Sequence, residues 1–229
     1  MAPRDLRTQL SRRAGKSGVF LTEDLSARLV AYYELLSRWN QKINLTALDD
    51  PDAAIDRLLL EPLAAVRHFP EGAHRFMDVG SGGGSPAIPM KIARPEWQLT
   101  MVEVKARKSA FLREAVRVLN LDSATVETAR YEELLARPDL HEVFRIVSMR
   151  AVRVETRVLH SLQAFLAPGG ELFLFRGPSG PDAPGAIVPP LEWVSTTPLL
   201  ESLQSRLTAL RKRRVGFVPR GTVNSPRPL

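Results

Sequence analysis

The chain has 229 residues and no cysteine, so disulfides, thiolate metal sites and cysteine nucleophiles are excluded. Its length is enough for one α/β domain with a modest extension, and 44% hydrophobic and 25% charged residues are ordinary values for a globular protein. No stretch approaches the ~20 consecutive apolar residues of a membrane-spanning helix, and the Arg-rich N-terminus lacks the apolar run of a secretory signal. These features predict a cytoplasmic protein without a membrane segment.

The formal charge of +7 is concentrated at the two ends of the chain. Residues 1–16 carry five basic residues and one acid, and residues 206–229 carry seven basic residues and no acid. The body between them therefore has a formal charge of −4. Two basic ends on a mildly acidic body fit a polyanionic partner, and we favour nucleic acid. Solvated tails that aid solubility are the alternative interpretation.

The first 70 residues are predicted to form a helical extension. Residues 1–20 are predicted to be weakly ordered. Thr22 then provides a helix cap, followed by an apolar helical face at spacings of three, four and seven: Leu25, Leu29, Tyr32, Tyr33, Leu36 and Trp39. Asp50-Pro51 is a second helix start, and Pro62 predicts a kink or break of that helix near Leu60.

From Arg75 onward, short runs rich in β-forming residues alternate with helical stretches. Strands are predicted at Arg75–Val79, Gln98–Glu103, Ala124–Thr128, Phe144–Met149, Glu171–Arg176, Glu192–Thr197 and Arg206–Leu210. Helices are predicted near Pro86–Ala93, Ala106–Leu119, Tyr131–Leu135 and Arg153–Phe165. Because such alternation builds βαβ units, we predict a doubly wound, mostly parallel, seven-stranded α/β sheet, with the last two strands added at its edge.

The predicted organisation has three parts. Residues 1–70 form the helical extension, residues 71–215 form the α/β domain, and residues 216–229 form a flexible basic tail without periodicity. Within the α/β domain, the Gly/Pro-rich stretch 177–190 is predicted to be a loop.

A glycine-rich turn follows the first predicted strand and precedes a helix. The strand contains an acid, Asp78, and runs directly into Gly80-Ser81-Gly82-Gly83-Gly84. Glycines let the backbone approach a ligand without a Cβ in the way, and the helix beyond them offers free N–H groups. In a doubly wound sheet this corner lies at the carboxyl ends of the strands, where ligands bind.

The spacing of the glycines favours S-adenosylmethionine over a dinucleotide. The dinucleotide fingerprint asks for glycines at its first, third and sixth positions, whereas the glycines here are Gly80, Gly82 and Gly84, and Ser85 stands sixth. Glu103 ends the next strand and can accept hydrogen bonds from both ribose hydroxyls with either cofactor. S-adenosylmethionine has no pyrophosphate and does not need the third glycine. An NAD-dependent enzyme remains the alternative.

Several segments together resemble the GidB/RsmG family, bacterial methyltransferases that modify a guanine N7 in small-subunit ribosomal RNA. The resemblance covers about residues 20–180. Its segments are Trp39-Asn40-Gln41-Lys42-Ile43-Asn44-Leu45-Thr46, Asp78–Gly84 with Pro86-Ala87-Ile88-Pro89, Lys105-Ala106-Arg107-Lys108 before Phe111-Leu112, Arg130-Tyr131-Glu132-Glu133, and Ser148-Met149-Arg150-Ala151. The fold implied is the Rossmann-like, class I methyltransferase fold.

The resemblance also implies roles for individual residues. Residues expected to contact S-adenosylmethionine are Gly80, Ser85, Glu103, Tyr131, Glu132 and Arg150. Residues expected to shape its pocket are Asp78, Gly82 and Gly84. The chain departs from the family in its second helix, where the family usually carries a His and an Asp-Ser pair and this chain has Leu58, Glu61 and Pro62.

The chemistry implied is a direct methyl transfer to guanine N7. This nitrogen has a free lone pair and no proton, so the reaction needs orientation and electrostatics but no general base. Arg150 is the residue expected to orient substrate or cofactor, and Lys42, Arg130 and Arg176 are expected to contact RNA. The four histidines have no metal-ligand or triad spacing, so no metal is expected. The predicted partner is 16S ribosomal RNA or the small ribosomal subunit, and the predicted enzyme is a monomer.

Two other functions share the same predicted fold. One is a methyltransferase that acts on another RNA base or on a small metabolite. An enzyme that acts on a small metabolite would not depend on the basic ends of the chain. A catalytically silent RNA-binding protein would bind no S-adenosylmethionine. Titration with S-adenosylmethionine and with NAD separates the predicted enzyme from the silent protein and from the NAD-dependent alternative.

Overall fold

A seven-stranded sheet forms the centre of the computed structural model, which describes residues 3–46, 50–150, 155–179 and 187–214. The strands are β1 (Arg75–Val79), β2 (Gln98–Val102), β3 (Ala124–Glu127), β4 (Phe144–Arg150), β5 (Leu166–Arg176), β6 (Leu191–Pro198) and β7 (Arg206–Lys212). Their spatial order is β3-β2-β1-β4-β5-β7-β6, and β1 to β5 are parallel, whereas β7 is antiparallel to both β5 and β6. The doubly wound, mostly parallel sheet predicted from the sequence is confirmed.

Helices cover both faces of this sheet. They are α1 (Pro3–Lys16), α2 (Glu23–Asn40), α3 (Pro51–Ile55), α4 (Glu61–Val66), α5 (Ala87–Ala93), α6 (Ala106–Val118), α7 (Tyr131–Leu134) and α8 (Thr156–Leu162). Neighbouring strand residues alternate between two apolar clusters, as Phe76 and Met77 do. The first cluster joins the sheet to α1–α6, and the second joins it to α7 and α8. The N-terminal helices therefore form one wall of the main core.

The prediction that residues 1–20 are weakly ordered is wrong. Residues 3–16 form α1, and Leu6, Leu10 and Ala14 are buried at a spacing of four. Arg13 donates from Nε to Asp56 Oδ1 at 2.6 Å, and this hydrogen bond raises the pKa of its guanidinium. The arginines made the segment look like a solvated tail, but its apolar residues share one helical face, and Arg13 is used inside the fold.

Pro62 interrupts the second helical region as expected. Asp56–Leu60 is a π-helical turn between α3 and α4, in which the Glu61 N–H donates to the Asp56 carbonyl. Pro62 follows with no N–H to donate, so the regular helical ladder cannot continue through this point. The wider turn brings the Arg57 carbonyl and the Glu61 carboxylate toward the ends of the strands.

The far edge of the sheet differs in detail from the sequence prediction. The last two strands join the sheet, but β7 lies between β5 and β6 and only β6 forms the edge. β5 begins at Leu166, five residues earlier than predicted, with a register irregularity and Gly169 at φ +78°.

Parts of the predicted loop and all of the predicted tail, 216–229, lie outside the described residues, and the domain boundaries stay predictions. Among the described helices, none combines the length and apolar character that crossing a membrane requires.

Candidate active site

A cavity of about 430 Å³ opens at the carboxyl ends of β1, β2 and β4. Its walls come from the turn after β1, the end of β2, the start of α7 and the end of β4. The lining residues that the sequence singled out are Gly80, Glu103, Arg130, Tyr131, Glu132 and Arg150. Apolar side chains, including Val102 and Met149, line the remainder. An apolar hollow with a few convergent polar groups is the usual form of a small-molecule site.

The glycine-rich turn needs its glycines for two different reasons. Gly80 has φ +77°, and a Cβ built there meets no atom within 4 Å in the described part of the chain. Its backbone is exposed at the cavity wall, so a ligand can approach it closely. Gly84 has φ +89°, and a Cβ there would lie 2.5 Å from Ile88 Cδ1. Gly84, like Gly82 at φ +52°, is set back from the cavity and shapes the turn.

Glu103 joins the two loops that border the cavity. Its Oε2 accepts from the Gly82 N–H at 2.9 Å, and its Oε1 accepts from the Lys105 N–H at 2.8 Å. The side chain is buried and lines the cavity. Each carboxylate oxygen has a further lone pair, so Glu103 can also accept from hydroxyl groups of a ligand.

The N-terminal helices hold the glycine-rich turn in place. Tyr32 Oη donates to the Gly83 carbonyl at 2.6 Å, and Leu36 and Leu45 pack where a Gly83 Cβ would stand. Burial raises the pKa of Tyr32, so the phenol keeps its proton. Sequence reasoning identified Tyr32 only as part of an apolar helical face. A buried tyrosine needs a partner for its hydroxyl, and this was the available signal for a polar contact.

Asp78 lies beneath the cavity and does not line it. The side chain is buried, Oδ1 accepts from the Ser148 hydroxyl, and Oδ2 has no hydrogen-bond partner among the described residues. Burial raises the pKa of this carboxyl, while the hydrogen bond from Ser148 and the charge of Arg150 act in the opposite direction. The Ser81 hydroxyl donates to the Asp78 backbone carbonyl at 3.0 Å. Asp78 therefore ties β1 to β4 directly below the turn.

Arg150 enters the cavity from the end of β4 and is held from behind. Its Nη1 donates to Glu61, which is buried, and its Nη2 lies 3.4 Å from the Arg57 carbonyl. The guanidinium also lies over the Phe175 ring at 5.2 Å. Sequence reasoning noted Glu61 only as a departure from the family pattern. In the fold it fixes the cation that faces the cavity.

Besides Asp78, Gly82 and Gly84, three further predicted site residues lie outside the cavity wall. The Ser85 hydroxyl is directed to the Arg57 carbonyl at 3.4 Å. Lys42 lines a separate groove beside the cavity, and Arg176 ends β5 with Nη1 3.5 Å from Thr208 Oγ1. Within the described ranges, no group of three or more His, Asp or Glu side chains could hold a metal ion.

The strand order, with an antiparallel seventh strand and a cavity at the carboxyl ends of β1 and β2, is that of a class I methyltransferase. The comparison with known families then identifies the branch. Residues 25–183 match the family model GidB, rRNA small subunit methyltransferase G, and the chain belongs to this family.

Curated relatives agree with this assignment. A ribosomal RNA small subunit methyltransferase G from Neisseria meningitidis is 37% identical over 155 residues, which are 68% of this chain and 69% of the relative. The enzyme of the same name from Burkholderia thailandensis is 34% identical over 174 residues, 75% of each chain. The prediction of a methyltransferase is confirmed.

Solved structures show the same fold at low sequence identity. A variant of MtNAS in complex with S-adenosylmethionine has a TM-score of 0.54 at 14% identity, covering 82% of this chain and 78% of its own. TrmN from Thermus thermophilus has a TM-score of 0.52 at 18% identity, covering 66% of this chain and 48% of its own. The cofactor named for MtNAS is the one that the sequence of this chain predicts.

Proposed function

We propose that this enzyme transfers a methyl group from S-adenosylmethionine to N7 of a guanine in 16S ribosomal RNA. The observation that carries the proposal is the cavity between the glycine-rich turn, Glu103 and Arg150. Membership of the family of small subunit methyltransferase G supports ribosomal RNA as the substrate. We further propose that the enzyme acts as a monomer in the cytoplasm, where ribosomal RNA is made and assembled in bacteria.

The residues that line the cavity fit S-adenosylmethionine, which supplies an electrophilic methyl group on a positively charged sulfur. Gly80 leaves its backbone open to the cavity, and Glu103 has lone pairs for two neighbouring hydroxyl groups. Glu132 adds an exposed carboxylate at the wall, so the two acids favour a cationic ligand. Tyr131 and the apolar lining residues offer an apolar surface for a purine ring.

A guanine N7 target agrees with the side chains that surround the cavity. Among its described residues the cavity wall has no histidine or lysine, and its two carboxylates, Glu103 and Glu132, face the cofactor in this proposal. N7 carries no proton to remove, so the reaction does not need a general base. Arg150 is fixed by Glu61 and can donate its remaining N–H groups to guanine O6, which leaves N7 free as the nucleophile. Catalysis then rests on holding the two reactants in line.

Three cations around the site are proposed to contact the RNA. Arg130 is exposed at the cavity wall, at the N-terminus of α7. Arg176 ends β5 next to the Arg150–Phe175 pair of β4 and β5. Lys42 lies in the loop after α2. Cations at these positions would place phosphates around the methylated base.

The proposal is tested with purified enzyme in two assays. Calorimetric titration should detect binding of S-adenosylmethionine and not of NAD; binding of NAD alone would contradict the cofactor assignment. Labelled S-adenosylmethionine and 16S ribosomal RNA from a strain lacking the enzyme should then give a label on one guanine that becomes sensitive to reduction and aniline cleavage, as N7-methylated guanine is. A label on another atom or on no RNA would refute the proposed target.

The role of Arg150 is tested in the same assays. Arg150→Ala should lower methylation by about 10²-fold or more, which is a typical effect of removing a positioned charge from an active site. Full methylation and unchanged cofactor affinity in this variant would exclude the role given to Arg150.

A further inference from the structure

A second hollow lies directly beside the cavity and is lined by cations. It has a volume of about 400 Å³, between the loop after α2 and the turn between β2 and α6. Its lining residues are Lys42, Ile43, Asn44, Lys105, Ala106, Arg107 and Lys108. These seven residues, called the basic groove below, include four cations and no acid.

The cations of the basic groove are not used to stabilise the fold. In the described part of the chain, no carboxylate lies within 4.0 Å of Lys42, Lys105, Arg107 or Lys108. By contrast, Arg13, Arg137 and Arg211 each have an acidic partner. Clustered cations repel one another, so four of them without acids in one hollow favour a polyanionic ligand.

Both walls of the basic groove are fixed by packing. Asn40 Oδ1 accepts from the Leu45 N–H at 2.7 Å and from the Thr46 N–H at 2.9 Å, which closes the loop that carries Lys42. Trp39 packs edge-on against Phe111 of α6 with ring centroids 5.8 Å apart. The groove is therefore formed before a ligand arrives, which reduces the entropy cost of binding.

Glu103 connects the basic groove to the cofactor cavity. Glu103 and Val104 line the cavity, while Lys105 and Ala106, the next residues, line the groove. The Lys105 N–H donates to Glu103 Oε1 at 2.8 Å, so the two hollows share one rigid turn. A nucleic-acid chain bound in the basic groove would therefore place a neighbouring nucleotide at the mouth of the cavity.

We infer that the basic groove binds the sugar–phosphate backbone of the RNA strand next to the methylated guanine. This inference rests on the proposed function and extends it to Lys105, Arg107 and Lys108. Arginine and lysine would neutralise consecutive phosphates, and the Asn44 side chain could bond a sugar or base edge. Sequence-independent contacts of this kind position the strand, whereas the cavity selects the base.

The test compares two double variants that lose the same charge. Lys105→Gln/Arg107→Gln removes two groove cations, and Arg113→Gln/Arg117→Gln removes two cations further along α6, where Arg117 already pairs with Glu114. Binding of 16S ribosomal RNA is measured at several salt concentrations. The slope of log affinity against log salt should fall in size by about 1.4 for the groove variant and stay unchanged for the control.

That slope difference has a directly measurable consequence. Between 50 and 200 mM salt, the ratio of wild-type to variant affinity should shrink by about sevenfold. In the methylation assay, the groove variant should show a raised KM for RNA and an unchanged calorimetric affinity for S-adenosylmethionine. A merely structural role would lower both affinities and the thermal midpoint together.

The outcomes separate this inference from the proposed function. An unchanged salt slope in the groove variant, or an equal change in the control, overturns the basic groove. If the salt slopes of wild type and groove variant differ as predicted but the wild type methylates another atom, RNA binding by the basic groove is supported and the N7 target is refuted. If the wild type binds no ribosomal RNA at all, both proposals fall.

Discussion

A single methyl group added at either end of the glycine-rich turn should have two different effects. Gly80→Ala and Gly84→Ala both force alanine into the left-handed region, at φ +77° and φ +89°, which costs about 1–2 kcal/mol. Reduced freedom of the unfolded chain offsets about 0.4–1 kcal/mol of this cost in each variant. Only Gly84→Ala adds a steric clash, because its Cβ would lie 2.5 Å from Ile88 Cδ1.

The clash sets the expected difference between the two variants. Overpacking a core by a methyl group costs about 1–3 kcal/mol, so Gly84→Ala should lose about 2–4 kcal/mol of unfolding free energy and Gly80→Ala about 1 kcal/mol. Ile88→Val removes the atom that clashes, at its own cost of about 0.5–1.5 kcal/mol. The double variant Gly84→Ala/Ile88→Val should therefore lose about 1 kcal/mol less unfolding free energy than the sum of the two single variants.

Urea unfolding followed by circular dichroism measures these differences, with an unchanged slope as the check on two-state behaviour. Calorimetry should give the reverse ranking for S-adenosylmethionine, because Gly80 lines the cavity and Gly84 does not. Equal destabilisation by the two alanines, or strict additivity of the Ile88 double variant, would refute the steric reasoning.

Two further predictions concern the supports of the site. Tyr32→Phe leaves the Gly83 carbonyl without its 2.6 Å donor. It should lower the unfolding free energy measured in urea by about 1–3 kcal/mol and also weaken S-adenosylmethionine binding. Unchanged cofactor affinity would contradict the proposed support of the glycine-rich turn by Tyr32. Burial raises the folded pKa of Asp78 above its ordinary value of 3.8, so the folded state keeps this proton to a higher pH than the unfolded chain does. The free energy of unfolding therefore falls as pH rises from 3.8 to the folded pKa, and this contribution is constant at higher pH. Asp78→Asn should remove that fall in unfolding titrations at a series of pH values, whereas an unchanged pH profile would exclude Asp78 as its source.

The elements of the sheet could be predicted because their signals are local. Each strand from β1 to β5 is a short run rich in apolar or β-branched residues, and helical stretches separate the strands, so the order of elements follows from the sequence. In α1 the two signals disagree: its arginine-rich composition predicts a solvated tail, whereas Leu6, Leu10 and Ala14, four residues apart, form an apolar helical stripe. Here a search for spacing of four would have found the helix.

The contacts that position the site were not predictable in the same way. Glu61 and Arg150 are 89 residues apart, and Tyr32 and Gly83 are 51 residues apart, so their pairing exists only after the sheet and its helices assemble. Ser85 shows a second limit: the motif gives its place in the turn, but the wider turn at Arg57 decides where its hydroxyl points.

The helices before β1 also limit how this enzyme can be dissected. A fragment that started near residue 71 would keep the whole sheet but would lose α1–α4, which cover one of its two apolar faces together with α5 and α6. It would also lose Tyr32 from the glycine turn and Glu61 from behind Arg150. The apparent catalytic half is thus not a portable module, and fusions or grafts need to carry the N-terminal helices with it.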